Sequence, residues 1–100
     1  MMAPLQSASA APALRIVLVE DSAMLRGMLR EMLDELERVC IVAEAEDEQG
    51  ALAALEAQRP DLAIIDLELS AGSGLGVLRQ LQAEPARFGR PRAVVFSNYG

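Results

Sequence analysis

The sequence predicts a doubly wound α/β domain built on a parallel sheet. Short apolar runs of strand length alternate with segments whose apolar residues recur at helical spacing. The first of these runs is apolar on both faces, as a strand covered by helices on either side must be. Such alternation calls for parallel strands joined by right-handed crossovers.

Taken in order, Arg15 to Val19 is the first strand, central in the sheet because only Arg15 breaks its apolar character. Ser22 offers an N-cap for a helix running to about Arg38. Leu25, Met28, Leu29, Met32, Leu33 and Leu36 give that helix one apolar face, and Arg30, Asp34 and Arg38 lie opposite at i,i+4 spacing. Cys40 to Ala45 is a weaker strand, broken by Glu44 and suited to a sheet edge. Its cysteine is expected to act as a small buried hydrophobe. Asp47 caps a second helix through Ala57 that buries Ala51, Leu52, Ala54 and Leu55, and Pro60 ends the segment. Leu62 to Ile65 is the third strand. A loop from Leu67 to Ser73 leads into a helix with Leu75, Val77, Leu78 and Leu81 as apolar positions. A turn region from Pro85 to Pro91, with Gly89, precedes a fourth strand from Ala93 to Phe96.

Composition narrows the chemistry. One hundred residues, 52% of them hydrophobic, make a single domain with enough apolar matter for a core. The formal charge of −6 disfavours binding to nucleic acid or anionic lipid. All nine basic residues are arginine, and the absence of histidine removes His-based catalysis, His metal ligands and the Ser–His–Asp arrangement. A single cysteine leaves no internal disulfide and no thiolate cluster. Residues 1–13, rich in Ala, Pro, Ser and Gln and without charge, read as a disordered leader. They lack the basic start and long apolar stretch of a signal peptide. No segment approaches the roughly 20 apolar residues of a membrane span, so a cytoplasmic protein is expected.

The candidate site lies where the strands end. Glu20 and Asp21 close the first apolar run, Asp66 closes the third, and Ser97 follows the fourth. Ligands of parallel α/β sheets bind at the carboxyl ends of the strands, so these side chains should converge. Three carboxylates around one crevice suit a hard divalent cation such as Mg²⁺. Each residue also has a plainer reading. Glu20 and Asp21 would be favoured at a helix N-terminus in any case, and serine commonly ends a strand. Gly72, Gly74 and Gly76 form a Gly-x-Gly-x-Gly run after a strand, which suits either nucleotide phosphates or a flexible loop entering a helix.

In this arrangement the chain resembles a response-regulator receiver domain of two-component signalling, over Arg15 to Gly100. The resemblance rests on Val-Leu-Val-Glu-Asp at 17–21, Ile-Ile-Asp at 64–66 with Gly74 eight residues on, Val-Val-Phe-Ser at 94–97, and the helix-forming segment 44–52. It implies a flavodoxin-like receiver topology over 14–100, lacking the final strand and helices. Asp66 would be the phosphoacceptor, taking a phosphoryl group from a histidine kinase or phosphotransfer protein. Mg²⁺ would be held by Asp21, by Glu20 through water, by Asp66 and by the backbone carbonyl of Glu68. Ser97 would be the hydroxyl that hydrogen-bonds the attached phosphoryl group and drives the conformational switch. Met24 would lie where the family docks its kinase, although a core role is its plainer reading.

The departures from the family are three. No lysine is present to contact the phosphoryl oxygens. Ser70 replaces a common proline, which should loosen the loop after Asp66, and Asn98 follows Ser97 where a smaller residue is usual. With the chain stopping at Gly100, a C-terminally incomplete receiver with a bared sheet edge and first helix is expected. The resemblance implies a signalling domain and not a turnover enzyme. The alternatives are a degenerate receiver acting as a non-phosphorylated interaction module, and a Mg²⁺-dependent phosphohydrolase with Asp66 as nucleophile and Glu68 as its second acid.

Overall fold

The computed structural model describes residues 13–97. The leader expected over 1–13 falls almost wholly outside them, as does Asn98. Four strands, β1 (Leu14–Val19), β2 (Val39–Ala45), β3 (Leu62–Asp66) and β4 (Arg92–Phe96), form one sheet in the order β2-β1-β3-β4, with every pair parallel. Between them lie α1 (Ala23–Asp34), α2 (Glu48–Gln58), α3 (Gly74–Ala83) and a 3₁₀ turn, Pro85–Phe88. The doubly wound parallel sheet read from the sequence is therefore observed.

Side-chain alternation along β1 sorts the core into two layers. Val17 and Val19 join Ala51 and Leu55 of α2, Ala63 and Ile65 of β3, and Val77 and Leu81 of α3 in one buried cluster. Ile16 and Leu18, equally buried, point to the opposite side. β1 neighbours both β2 and β3, so the chain reverses its direction of travel across the sheet there. That makes the carboxyl ends of β1 and β3 the switch-point crevice.

Each helix begins at a side-chain cap, two of them, Ser22 and Asp47, read from the sequence. The Ser22 hydroxyl accepts from the Leu25 N–H, Asp47 from Gly50 N–H and Ser73 from Gly76 N–H. Arg59 closes α2 in a left-handed conformation (φ 46°), with its N–H donating to Leu55 O.

Four expectations are corrected. The first helix ends at Asp34 and not near Arg38, because Arg38 turns left-handed (φ 65°) and its carbonyl accepts from Leu14 N–H to start β2 beside β1. The apolar face of α1 is wider than the sheet beneath it. Leu25, Leu29 and Leu33 are half-buried, but Met24, Met28, Met32 and Leu36 are exposed, and nothing in α1 is fully buried. Cys40 is exposed because β2 is an edge strand, and Leu75 is 48% exposed at the start of α3. The turn region 85–91 contributes Phe88, which is completely buried in the main cluster.

Candidate functional site

Glu20 and Asp21 leave the end of β1, and Asp66 is the last residue of β3. Parallel pairing sets Val19 against Ile65, so both strands deliver their acids at one level. One carboxylate oxygen from each of Glu20, Asp21 and Asp66 lies within 4.8 Å of the others. The convergence anticipated from the strand ends is thus formed.

These acids are not alike. Glu20 is fully buried, Asp66 is 1% exposed, and Asp21 is half-buried. Glu20 Oε2 accepts the Ser22 N–H at 2.8 Å, whereas Oε1 is buried without a hydrogen-bond partner. Burial pushes the Glu20 carboxyl from 4.5 up to about 7; the neighbouring Asp21 and Asp66 carboxylates add to the rise and the Ser22 N–H opposes it. The neighbouring Glu20 carboxyl holds Asp21 below the ordinary carboxylate range, helped by Ser70. Glu20 therefore holds its proton to higher pH than an ordinary carboxyl, chiefly because its charged form is buried.

The surrounding backbone fixes these positions. Arg26 Nη1 donates to Glu20 O at 2.7 Å while the same guanidinium pairs with Glu44 at 3.3 Å. Asp66 Oδ1 accepts the Glu68 N–H at 3.0 Å. Leu67 N–H donates to Phe96 O, and Gly74 N–H to Leu67 O. A Cβ on Gly74 would run into the Asp66 carbonyl group and stand 2.8 Å from Leu67 Cα, so only glycine lets α3 start this close to the acceptor strand. Ser97 is exposed and follows Phe96, the strand partner of Asp66, which puts it on the same rim. Glu68 has an exposed side chain, and its contribution to the geometry is its backbone.

Two supporting residues escape a reading of the sequence. Arg26 and Glu48 act through folded geometry and carry no motif.

The donor set fits a hard divalent cation: all ligand atoms are carboxylate oxygens, and Glu20 Oε1 is a buried acceptor lacking any donor. A cation there would satisfy that oxygen and displace the retained proton.

The family model of the response regulator receiver domain matches residues 16–99. Among curated relatives, a protein-glutamate methylesterase/protein-glutamine glutaminase of Myxococcus xanthus is 38% identical over 87 residues, which are 87% of this chain and 24% of the relative. The transcriptional regulatory protein PdtaR of Mycobacterium tuberculosis is 36% identical over 84% of this chain and 40% of its own length. The chain thus spans less than half the length of either relative. Among solved structures, the response regulator domain of Thermotoga maritima CheB superposes with a TM-score of 0.76 at 24% identity, covering 85% of this chain and 60% of that one. The receiver domain of a NarL regulator from Mycobacterium tuberculosis gives a TM-score of 0.80 at 24% identity, covering 89% and 69%.

Proposed function

The chain belongs to the response regulator receiver family of two-component signalling, and on that premise we propose that Asp66 is its phosphoacceptor, working with Mg²⁺ bound by Glu20, Asp21 and Asp66. The observation that carries this reading is the convergence of the three carboxylates within 4.8 Å around a buried, unpartnered oxygen of Glu20.

In the proposed reaction a carboxylate oxygen of Asp66 attacks the phosphorus of a phosphohistidine on a kinase or phosphotransfer protein. The new P–O bond forms as the P–N bond breaks, and the electron pair leaves on the imidazole nitrogen. The Glu68 N–H on Oδ1 fixes the attacking carboxylate, and burial among neighbours of β1 and β3 limits its rotation. Mg²⁺, when bound, neutralises phosphoryl charge that would repel an anionic nucleophile. The Glu68 carbonyl supplies a further metal ligand in this reading, and the Ser97 hydroxyl donates to a phosphoryl oxygen once the acyl phosphate has formed.

The matched segment is a minor part of the methylesterase relatives, and in this reading it is a signalling domain and not a turnover enzyme. No helix of the described residues is long and apolar enough to cross a membrane, and in this reading the partner is a histidine kinase or phosphotransfer protein. The test is intact mass after incubation with Mg²⁺ and acetyl phosphate, with Asp66→Asn alongside. One added phosphoryl group in the wild type and none in a folded Asp66→Asn variant is the expected result. Mg²⁺ binding without any phosphoryl uptake would replace this reading with that of a non-phosphorylated interaction module.

A further inference from the structure

The run of Gly72, Gly74 and Gly76 cradles an anion, and the chain supplies that anion itself. The Glu48 side chain lies between two of the three glycines. A Cβ on Gly76 would stand 2.5 Å from Glu48 Oε2 and 2.7 Å from Cδ, and one on Gly72 would stand 2.8 Å from Oε1. The Ser73 N–H donates to Oε1 at 2.8 Å, and the Glu48 N–H donates back to Ala71 O at 3.1 Å. Ser73 is the N-cap of α3, so the carboxylate meets the positive end of that helix. Glu48 also opens α2, whose dipole favours the same charge. A Gly-rich entry to a helix that elsewhere suits a phosphate is here filled by an internal carboxylate.

We propose that Glu48 is a positioning residue for the acceptor site, clamping the far half of the loop that runs from Asp66 to α3. The inference rests on the reading of Asp66 as phosphoacceptor. The near half of the loop is held at Leu67 by Phe96 and Gly74, and the far half at Ala71 and Ser73 by Glu48. Between these anchors lies Glu68, whose N–H holds Asp66 Oδ1. Releasing the far anchor therefore moves the group that orients the Asp66 carboxylate. The two outer glycines are required because anything larger evicts the clamp.

The test uses the full chain with Glu48→Ala, Glu48→Gln, Gly76→Ala and the Glu48→Ala/Gly76→Ala double variant. Three quantities are read: the Mg²⁺ dissociation constant, the initial rate of phosphoryl uptake from acetyl phosphate, and the metal-free amide shifts of Glu68 and Ser73. Glu48→Ala is expected to weaken Mg²⁺ binding about tenfold, the low end for loss of a residue supporting metal ligands, and to slow uptake in parallel. Glu48→Gln keeps an accepting oxygen in the slot and should recover most of the loss. Gly76→Ala should match Glu48→Ala, and the double variant should be no worse than either single one, since both remove the same contact. Glu48→Ala with wild-type Mg²⁺ affinity, uptake rate and Glu68 shift overturns the proposal, as do additive losses in the double variant. If Glu48→Ala does not fold, Glu48→Gln and Gly76→Ala decide: equal Glu68 shifts and affinities in the two would overturn the clamp. A wild type that takes up no phosphoryl group removes the phosphoacceptor reading instead, and the Glu68 and Ser73 shifts then decide the clamp alone.

Discussion

Replacing Glu20 by Gln should make the metal-free domain more stable at pH 8 and barely change it at pH 4. Glu20 is fully buried, one of its oxygens has no partner, and its carboxyl titrates at about 7 instead of 4.5. The folded-state value lies above the unfolded one, so the stability associated with the neutral carboxyl is present in full below about 4.5. It is lost as pH rises, and the loss is complete once pH passes about 7. A rise from 4.5 to about 7 corresponds to a loss of about 3 kcal/mol as a ceiling, a large share of the roughly 5–15 kcal/mol that holds a small domain together. Glutamine keeps the shape and an oxygen for the Ser22 N–H but never ionises. The assay is urea unfolding in chelator at several pH values, followed by far-ultraviolet circular dichroism because the chain has no tryptophan. The difference between variant and wild type should grow by about 2–3 kcal/mol between pH 4 and 8. A difference that stays constant across that range would refute the claim that Glu20 stores a desolvation cost. Mg²⁺ at pH 8 should then stabilise the wild type far more than the variant, because it binds the folded carboxylates.

Two further outcomes follow from packing. Gly74→Ala forces a methyl group into the Asp66 carbonyl and the Leu67 backbone, so it should cost about 1–3 kcal/mol and slow phosphoryl uptake, measured by urea unfolding and intact mass. A wild-type uptake rate would show that the loop yields without moving Asp66. Phe88→Ala empties a completely buried site in the main cluster and should cost about 3–5 kcal/mol in the same unfolding assay, whereas a cost below about 1 kcal/mol would mean that the 3₁₀ turn is dispensable to the core.

The strand ends are legible because carboxylates are costly inside a core, so an acid that closes an apolar run marks where the strand leaves it. Val-Leu-Val-Glu-Asp and Ile-Ile-Asp place their carboxylates at the carboxyl edge of a parallel sheet, and the structure brings them together there. The caps at Ser22 and Asp47 are equally readable, since capping is a local matter of a short side chain and an N–H three residues on. Phe88 is not, because a Pro- and Gly-flanked segment carries no periodicity, and only the approach of the 3₁₀ turn to α2 and α3 buries it. Cys40 and the methionines of α1 depart from expectation for the converse reason. Apolar character shows that a residue can be buried, whereas strand position in the sheet and the breadth of the covering surface decide whether it is.

The sequence by itself determined the order of elements, the helix starts and the identity of the three acids, because these depend on chain-local spacing and chemistry. Only the tertiary structure decided that Glu20 is the buried member with an unpartnered oxygen, that Gly74 carries the contact with Asp66, and that Glu48 occupies the glycine slot before α3. Those facts depend on which segments distant in sequence meet, and how closely, which no local pattern encodes.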